Sequence, residues 1–575
     1  MTAERKRKNN IVSAWGVLAP CFIIAWNIGL ARPAGTKPRK TKIHSLCDIY
    51  MVRNDSRSFV HKCSKQKERR FFLMKKMFGR IISLILCVCV CFSLFGCGGT
   101  KEDASKKDGK KENTQIAGMS PDNPVRMSID EWIGYWELLA ANGGLETAPD
   151  SINAKNGIYI TYVPMNDAEV SSNALISNEI QGAGYTVNRY AFLQNKFNNA
   201  GVDVVMPFIT NYSNGADGII SRSDIVNVSD LVGKKVAAPR FSESQTLVIW
   251  LVNNSDLTKE EKEQIKNDMV LLATPEDTAK AFFSGEVDAA ATWEPFLTEA
   301  RALDDARVFF DTSMGTNLIL SGMIFRQDFL ENNEEFMVKM IDSALEATSL
   351  YKKDFDSIRQ LPMFELMTDE EIIDMANGAD LTTARQNEKL LTDTAVQMYA
   401  DMANIWIELG ETAFPEKAQT AFTDKYILPL LDKYPEEGDG EKKFSEKEKQ
   451  EIMESPESLL DYSAKIQFEW NSTDILEESY STLDEFVSIA KVLDNMYVQI
   501  DGHAAQRANG RTEQEIVSFS EKRAQAVADY FEKRGISRDR IIVKGWGDSK
   551  PLDPENPASE VNRRTEFFFK AGAGY

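Results

Sequence analysis

The sequence predicts an α/β chain of two lobes followed by a small α+β domain. Three observations carry that reading. Strand-like and helix-like stretches alternate for about 300 residues from Val125 onward, the pattern of a parallel sheet covered by helices on both faces. That span is large for one core and suits two. Behind a charged linker, a further stretch of about 115 residues repeats the alternation, enough for a domain with its own core.

From the start, residues 1–73 are basic and include an apolar run at 11–31 of membrane-helix length. A second export-type segment follows at once, and two in tandem make little physical sense. The expectation is that Met74 is the true start and 1–73 a mistaken extension; a real cytoplasmic extension with a membrane helix is the other reading. Residues 74–97 are MKKMFGRIISLILCVCVCFSLFGC. Lys75, Lys76 and Arg80 form a basic head, 81–95 an uncharged run too short for a comfortable span, and Leu94-Phe95-Gly96-Cys97 a closing segment. The order is that of a secretory signal, and its end resembles a bacterial lipobox, in which the cysteine is acylated and becomes the new N-terminus. Phe95 is bulkier than that family usually has. An ordinary anchor, or a signal cut elsewhere, is the alternative.

Cysteine, histidine and charge usage agree with export. All seven cysteines lie at or before Cys97, so the exported part has no disulfide framework, and His503 is its one histidine. A Cys/His nucleophile pair or a His/Cys zinc cluster cannot be assembled there, so no metal or cofactor is expected and binding is favoured over turnover. Residues 1–96 hold 19 basic and 4 acidic side chains; the 48 basic and 83 acidic ones that remain give −35. Such acidity argues against a nucleic-acid partner. Residues 98–123 are rich in Lys, Asp, Gly and Ser and read as a flexible tether.

Residues 124–433 are expected to form the two lobes. Val125–Ile129, 158–163, 202–207, 235–238 and 269–273 read as strands; 137–142, 278–284, 332–351 and 383–409 read as helices. Three motifs stand in this region: Asn211-Tyr212-Ser213-Asn214-Gly215-Ala216-Asp217-Gly218, Asp230-Leu231-Val232-Gly233-Lys234-Lys235-Val236-Ala237, and Gly285-Glu286-Val287-Asp288-Ala289-Ala290 with Thr292-Trp293-Glu294-Pro295-Phe296. In order and spacing they resemble the substrate-binding proteins of ABC importers of the nitrate/sulfonate/taurine type, a family that also includes binders of a thiamine pyrimidine precursor. The resemblance covers roughly 125–432, less tightly at 145–195. It implies a two-lobed periplasmic-binding-protein fold (type II), no catalysis, and a solute delivered to a separate ABC permease.

Candidate ligand residues follow from the physics of open α/β sheets, where solutes sit beyond the carboxyl ends of strands. The loop after 236–239 runs Arg240-Phe241-Ser242-Glu243-Ser244-Gln245-Thr246 into an apolar helix. Hydroxyls of Ser242, Ser244 and Thr246 at a helix start suit an anion, and Arg240 offers a bidentate partner. Trp132, Tyr135 and Trp293, with Asn211 and Glu294 beside them in the motifs, are candidate cleft walls. Trp293 also reads as core, and Ser242 and Thr246 as helix caps, an ordinary role worth about 1 kcal/mol. Asp217 and Asp288 are expected to steady loops.

Residues 434–457 form a charged linker, and 458–575 the second domain, with strands at 464–470, 498–504, 541–545 and 564–570 and helices at 474–495 and 513–534. Ile500-Asp501-Gly502-His503, Phe519-Ser520-Glu521-Lys522-Arg523-Ala524, Gly545-Trp546-Gly547, Pro551 and Asn562-Arg563-Arg564 resemble the OmpA-like peptidoglycan-binding domain. The resemblance implies wall binding through Arg523, Arg563 and Arg564. The family's Thr-Asp after Gly-His is Ala504-Ala505 here, which removes a carboxylate for the ligand's ammonium; Glu513, Glu515 and Asp548 are the candidate replacements, and a fold kept for spacing or protein contact is the alternative. His503 reads as structural. The whole implies an extracytoplasmic, membrane-anchored lipoprotein of the cell envelope that binds a small solute, an anion or a pyrimidine-like compound, and docks to peptidoglycan. The competing reading is an envelope scaffold or solute sensor uncoupled from transport; side chains filling the cleft would favour it. A carboxylate-dependent wall hydrolase lacks any paired acids that can be placed.

Overall fold

The computed structural model describes residues 117–435, 446–506 and 512–572. The upstream extension, the signal segment with Cys97, most of the tether and the middle of the charged linker lie outside the described residues. Among the described residues no helix is long and apolar enough to cross a membrane.

The first lobe begins with β1 (Val125–Ile129), whose Val125, Met127 and Ile129 enter the core, and continues through β2 (Ile160–Pro164), β3 (Gly182–Thr186) and β4 (Val204–Ser213). The chain then crosses to the second lobe for β5 (Asp217–Arg222), β6 (Val236–Pro239), β7 (Val270–Leu272), β8 (Ala289–Trp293) and β9 (Ala306–Asp311). It returns for β10 (Leu320–Arg326) and β11 (Ala379–Leu381). The strand orders are β11-β4-β10-β3-β1-β2 in the first lobe and β7-β6-β8-β5-β9 in the second.

Both sheets are mixed, where the alternation of elements implied parallel ones. β1 is parallel to β2 and β3, and β6 to β7 and β8, as βαβ connections require. The first strand made after each crossing enters its lobe from the opposite end. β10 therefore runs antiparallel to β3 and β4, and β5 antiparallel to β8 and β9.

Two segments, 214–216 and 312–319, thus connect the lobes, and they are bonded to each other. The Thr312 hydroxyl lies 2.7 Å from Ser213 Oγ and accepts Gly215 N at 2.9 Å, while Thr312 N donates to Asp217 O at 2.9 Å. A third bridge is the helix Ala395–Glu408. It packs on the first-lobe helix Val187–Ala200 through Tyr399 and Tyr190, and its Glu408 accepts from Asn253 of the second lobe at 2.8 Å.

β3 escaped the sequence reading because Gly-Ala-Gly-Tyr-Thr has poor strand propensity. Its glycines are demanded by packing: a Cβ at Gly182 would lie 2.6 Å from the Phe325 ring, and one at Gly184 2.7 Å from the Tyr135 ring.

The C-terminal domain is α+β. Its sheet runs β12-β15-β13-β14, from β12 (Leu460–Ala464), β13 (Tyr497–His503), β14 (Ile541–Gly547) and β15 (Thr565–Lys570), with β13 parallel to β14 and antiparallel to β15. The strand expected at 464–470 is displaced to β12, where Leu460 and Tyr462 are buried, opposite Phe569 and Phe567. Phe468 makes only an isolated bridge to Ile475. The helix Glu513–Lys533 lies so close to β13 that a Cβ at Gly502 would be 2.2 Å from Ser520 O.

This domain grips the second interlobe connection directly. Asp494 accepts from Thr316 N at 2.8 Å and from Thr316 Oγ1 at 2.6 Å; Asn495 Nδ2 donates to Ser313 O, and Asn317 Nδ2 to Lys491 O. Asp494→Ala leaves Thr316 without these partners and is expected to lower stability by about 1–3 kcal/mol. Urea unfolding should show the loss, and limited proteolysis should open 312–319.

Candidate functional site

Most of the candidate residues stand at or just past the carboxyl ends of β1, β6 and β8. Trp132, just past β1, donates Nε1–H to Asn211 Oδ1 at 2.8 Å, and Asn211 Nδ2 donates to Gly134 O at 3.0 Å. Asn211 is fully buried and serves to lock the Trp132 turn rather than to face solute, a correction to its expected role. Tyr135 is likewise buried, stacked over Gly184 in the first-lobe core.

The loop after β6 was expected to present hydroxyls to an anion. Ser242 instead caps the helix Glu243–Asn253, accepting Gln245 N at 3.2 Å and donating to Pro239 O at 2.7 Å. Ser244 is buried, and Thr246 is fully enclosed, donating to Glu243 O and accepting Asn188 Nδ2 at 3.0 Å. Arg240 is exposed, with its guanidinium against the neighbouring Phe241 ring at 5.5 Å.

Trp293, at the end of β8, is 40% exposed. Glu294 points elsewhere. It accepts from Thr298 N and Arg301 and lines a cavity of about 650 Å³ beside the interlobe connections, together with Asp311 and Asp374. Asp288 accepts Lys235 N at 2.8 Å and Asp217 accepts from Ser213 Oγ at 2.7 Å, the loop-steadying roles expected of them.

Apart from Thr246, the residues that meet across the lobes are ones the sequence did not offer as ligand residues. Glu243, in the first turn of its helix, reaches Arg189 and Thr186 of the first lobe. Arg189 Nε donates to Oε1 at 3.0 Å, Arg189 Nη2 to Oε2 at 2.9 Å, and Thr186 Oγ1 to Oε1 at 2.7 Å. Phe241, held at φ +57°, stacks on Phe192 with ring centroids 5.4 Å apart.

Burial pushes the Glu243 carboxyl up, but the Arg189 charge and the hydrogen bonds from Arg189 and Thr186 outweigh it and hold the group below its ordinary value. Asp130, directly after β1, is pushed up to about 6 by burial, against the pull of Arg189.

In the C-terminal domain, Arg523 donates Nε–H to Ser472 O at 3.1 Å and lies between the Phe468 and Phe519 rings, at 4.7 and 4.6 Å. Arg563 pairs with Glu560 at 2.9 Å. Arg564 is buried, giving Nε and Nη2 to Glu566 Oε1 and Nη1 to Lys550 O, so it belongs to the domain's interior and not to a ligand face. Glu515 closes a capping box on Thr512. Among the described residues Asp501, His503 and Glu566 bring ligand-type atoms within 4.8 Å of one another. Trp546 Nε1 and Gln499 Nε2 donate to Asp501, His503 Nε2 bonds Glu566, and Arg564 neutralises it. The buried His503 Nδ1 and Gln499 Oε1 have no hydrogen-bond partner among the described residues.

Residues 154–354 match the model of a family described as NMT1/THI5 like, and residues 467–565 match that of the OmpA family. A putative aliphatic sulfonates-binding protein of Escherichia coli (strain K12) is 29% identical over 134 residues, 23% of this chain and 39% of that protein. A peptidoglycan-associated lipoprotein of Rhizobium meliloti (strain 1021) is 28% identical over 102 residues, 17% of this chain and 56% of that protein. The crystal structure of a periplasmic aliphatic sulphonate binding protein from Escherichia coli aligns at 19% identity and TM-score 0.42, over 53% of this chain and 99% of that one. The chain spans between 13% and 56% of the lengths of the curated relatives it matches. The fold class observed, α/β with a small α+β domain behind it, is the one the sequence predicted.

Proposed function

We propose that this chain is the extracytoplasmic solute-binding component of an ABC importer, anchored in the cell envelope by lipid on Cys97 and docked to peptidoglycan by its C-terminal domain. The observation that carries the reading is the double interlobe connection at 214–216 and 312–319, each followed by a strand that completes the other lobe's sheet. Two rigid lobes on two adjacent connections form a hinge, and a solute bound between them shifts the open–closed equilibrium. The NMT1/THI5-like match supports the solute-binding half, and the peptidoglycan-associated relative supports the wall-binding half. Trp132 and Trp293 are the wall residues retained from the sequence, joined by Asp130, Arg189 and Glu243; no residue is assigned a catalytic role. Signal cleavage before Cys97, the tether and the domain limits 124–433 and 458–575 form part of this proposal.

A second reading, a solute sensor not coupled to transport, is favoured by the grip of residues 491–495 on the connection at 313–317. Thermal-shift screening of the purified chain against oxyanions, pyrimidines and amines tests the shared core of both. A ligand present at about 100 times its dissociation constant adds about 2.7 kcal/mol, and absence of any protecting compound refutes a solute receptor. Wall docking is tested with sacculi: Arg523→Ala is expected to abolish co-sedimentation, and unchanged co-sedimentation removes Arg523 from that role.

A further inference from the structure

Two helices of different lobes meet through their first turns. Val187–Ala200 follows β3 of the first lobe, and Glu243–Asn253 follows β6 of the second. Three contacts join them. The Glu243 carboxylate accepts Thr186 Oγ1 at 2.7 Å and Arg189 Nε and Nη2 at 3.0 and 2.9 Å. Thr186 is the N-cap of its helix, so the carboxylate lies at the positive end of that helix, where negative charge is favoured. One step further in, Asn188 Nδ2 donates to Thr246 Oγ1 at 3.0 Å, and both side chains are buried. On the outer side Phe241 stacks on Phe192, and Trp406 of the bridging helix packs on both rings, at centroid distances of 6.4 and 4.9 Å. Trp406 also donates Nε1–H to Asn188 O at 3.2 Å. Phe241 keeps a left-handed φ of +57°, a conformation that persists in a bulky residue only where its surroundings over-determine it.

Desolvation opposes an enclosed ion pair. Here the attraction wins, since the guanidinium and the hydrogen bonds hold the Glu243 carboxyl below its ordinary value in spite of burial. Arg189 also keeps 30% of its side chain in water, which lowers what its enclosure costs. Parting the lobes along this seam breaks the ion pair, the amide–hydroxyl bond and the ring stack together, and all three are made by the chain's own side chains.

We propose that the protein latches its own lobes shut: Glu243, held by Thr186 and Arg189, keeps the solute-free chain closed, and solute entry waits on the opening of that contact. This rests on the solute-binding reading above and fixes the resting position of its hinge. A receptor that rests closed binds through a minor open population, and its apparent affinity is scaled down by that fraction.

The test measures an interlobe distance by electron–electron double resonance, with no solute added. Spin labels are placed through Val170→Cys on the first lobe and Asp277→Cys on the second, both exposed positions. The seven natural cysteines, all at or before Cys97, are changed to serine. The chain with Arg189 and Glu243 intact is expected to give a single short distance. Glu243→Gln and Arg189→Gln, whose unfolding curves report their folding directly, are each expected to raise the ratio of open to closed lobes about ten- to a hundredfold, the worth of a charge-assisted hydrogen bond. A chain with the intact pair that is already mostly at a longer distance overturns the proposal, and that measurement needs neither glutamine variant to fold. A folded Glu243→Gln that keeps the short distance alone overturns it too. Both results leave the solute receptor standing, which falls only if the compound screen finds no ligand at all.

Discussion

Arg189→Ala is expected to destabilise the two-lobed module by about 3–5 kcal/mol, the cost of leaving one member of a largely buried pair without its partner. The Glu243 side chain is only 11% exposed, and without the guanidinium its carboxylate keeps a single side-chain donor, Thr186. Because Arg189 is 30% exposed, the lower end of that range is the expected value. Urea midpoints at fixed pH give the measurement, and the pair is separable from its surroundings by a double-mutant cycle: Arg189→Ala with Glu243→Ala is expected to recover most of the loss. The pH dependence has a definite sign. Glu243 is held below its ordinary value in the fold, so its contribution is present above about pH 4.5 and is lost as pH falls through the folded value. The gap between wild type and Arg189→Ala should therefore persist at pH 7 and close in acid. A gap that grows in acid places the stabilisation outside the Arg189–Glu243 pair.

The same pair shows where the sequence was legible and where it was not. The first motif spans the connection at 214–216, the second leads into β6 and the third spans β8 and its end, because Gly, Asp and Pro mark turns by backbone chemistry that is local; the connection at 312–319 lies in none of them. Which side chains converge across the cleft is not local. Arg189 and Glu243 are 54 residues apart, and each alone reads as a solvated charge on a helix. The hydroxyl of Thr246 was visible, but its partner Asn188 lies 58 residues away and is met only once the lobes have come together. β3 was hidden for a related reason: its glycines make a poor strand until Phe325 and Tyr135 cover them. In the C-terminal domain the motif order identified the fold, yet Arg564, offered as a ligand clamp, is spent inside on Glu566. Motif residues that hold a fold together and motif residues that hold a ligand leave the same mark in a single sequence.

Asp217→Asn is expected to stabilise the protein at pH 8, an inversion of what a motif aspartate usually does. Asp217 stands where the first connection enters β5, 5% exposed, accepting from Ser213 Oγ while its own carbonyl takes Thr312 N. Burial raises its carboxyl to about 7; the Ser213 hydrogen bond offsets part of that, and the Glu243 charge adds to it. A carboxyl raised in the fold binds its proton more tightly folded than unfolded, so its ionisation costs stability from about pH 4 up to about pH 7, after which the penalty is constant. Asparagine keeps the acceptor for Ser213 and never ionises. At pH 8 the variant should exceed wild type by roughly 3–4 kcal/mol, and below about pH 4 the two should converge. The consequence for the hinge follows from the same bonds. With Asp217 protonated, Ser213 and Thr312 tie the two connections together without a buried charge, whereas ionisation places an uncompensated carboxylate between them and favours any arrangement that lets water in. Wild type should accordingly show faster hydrogen exchange at 213–217 and 312–316 above pH 7, beyond the intrinsic pH effect, and Asp217→Asn should not. If the variant is instead less stable than wild type at pH 8, the ionised carboxylate is matched in the fold by a cation or by further donors, and its ionisation does not loosen the hinge.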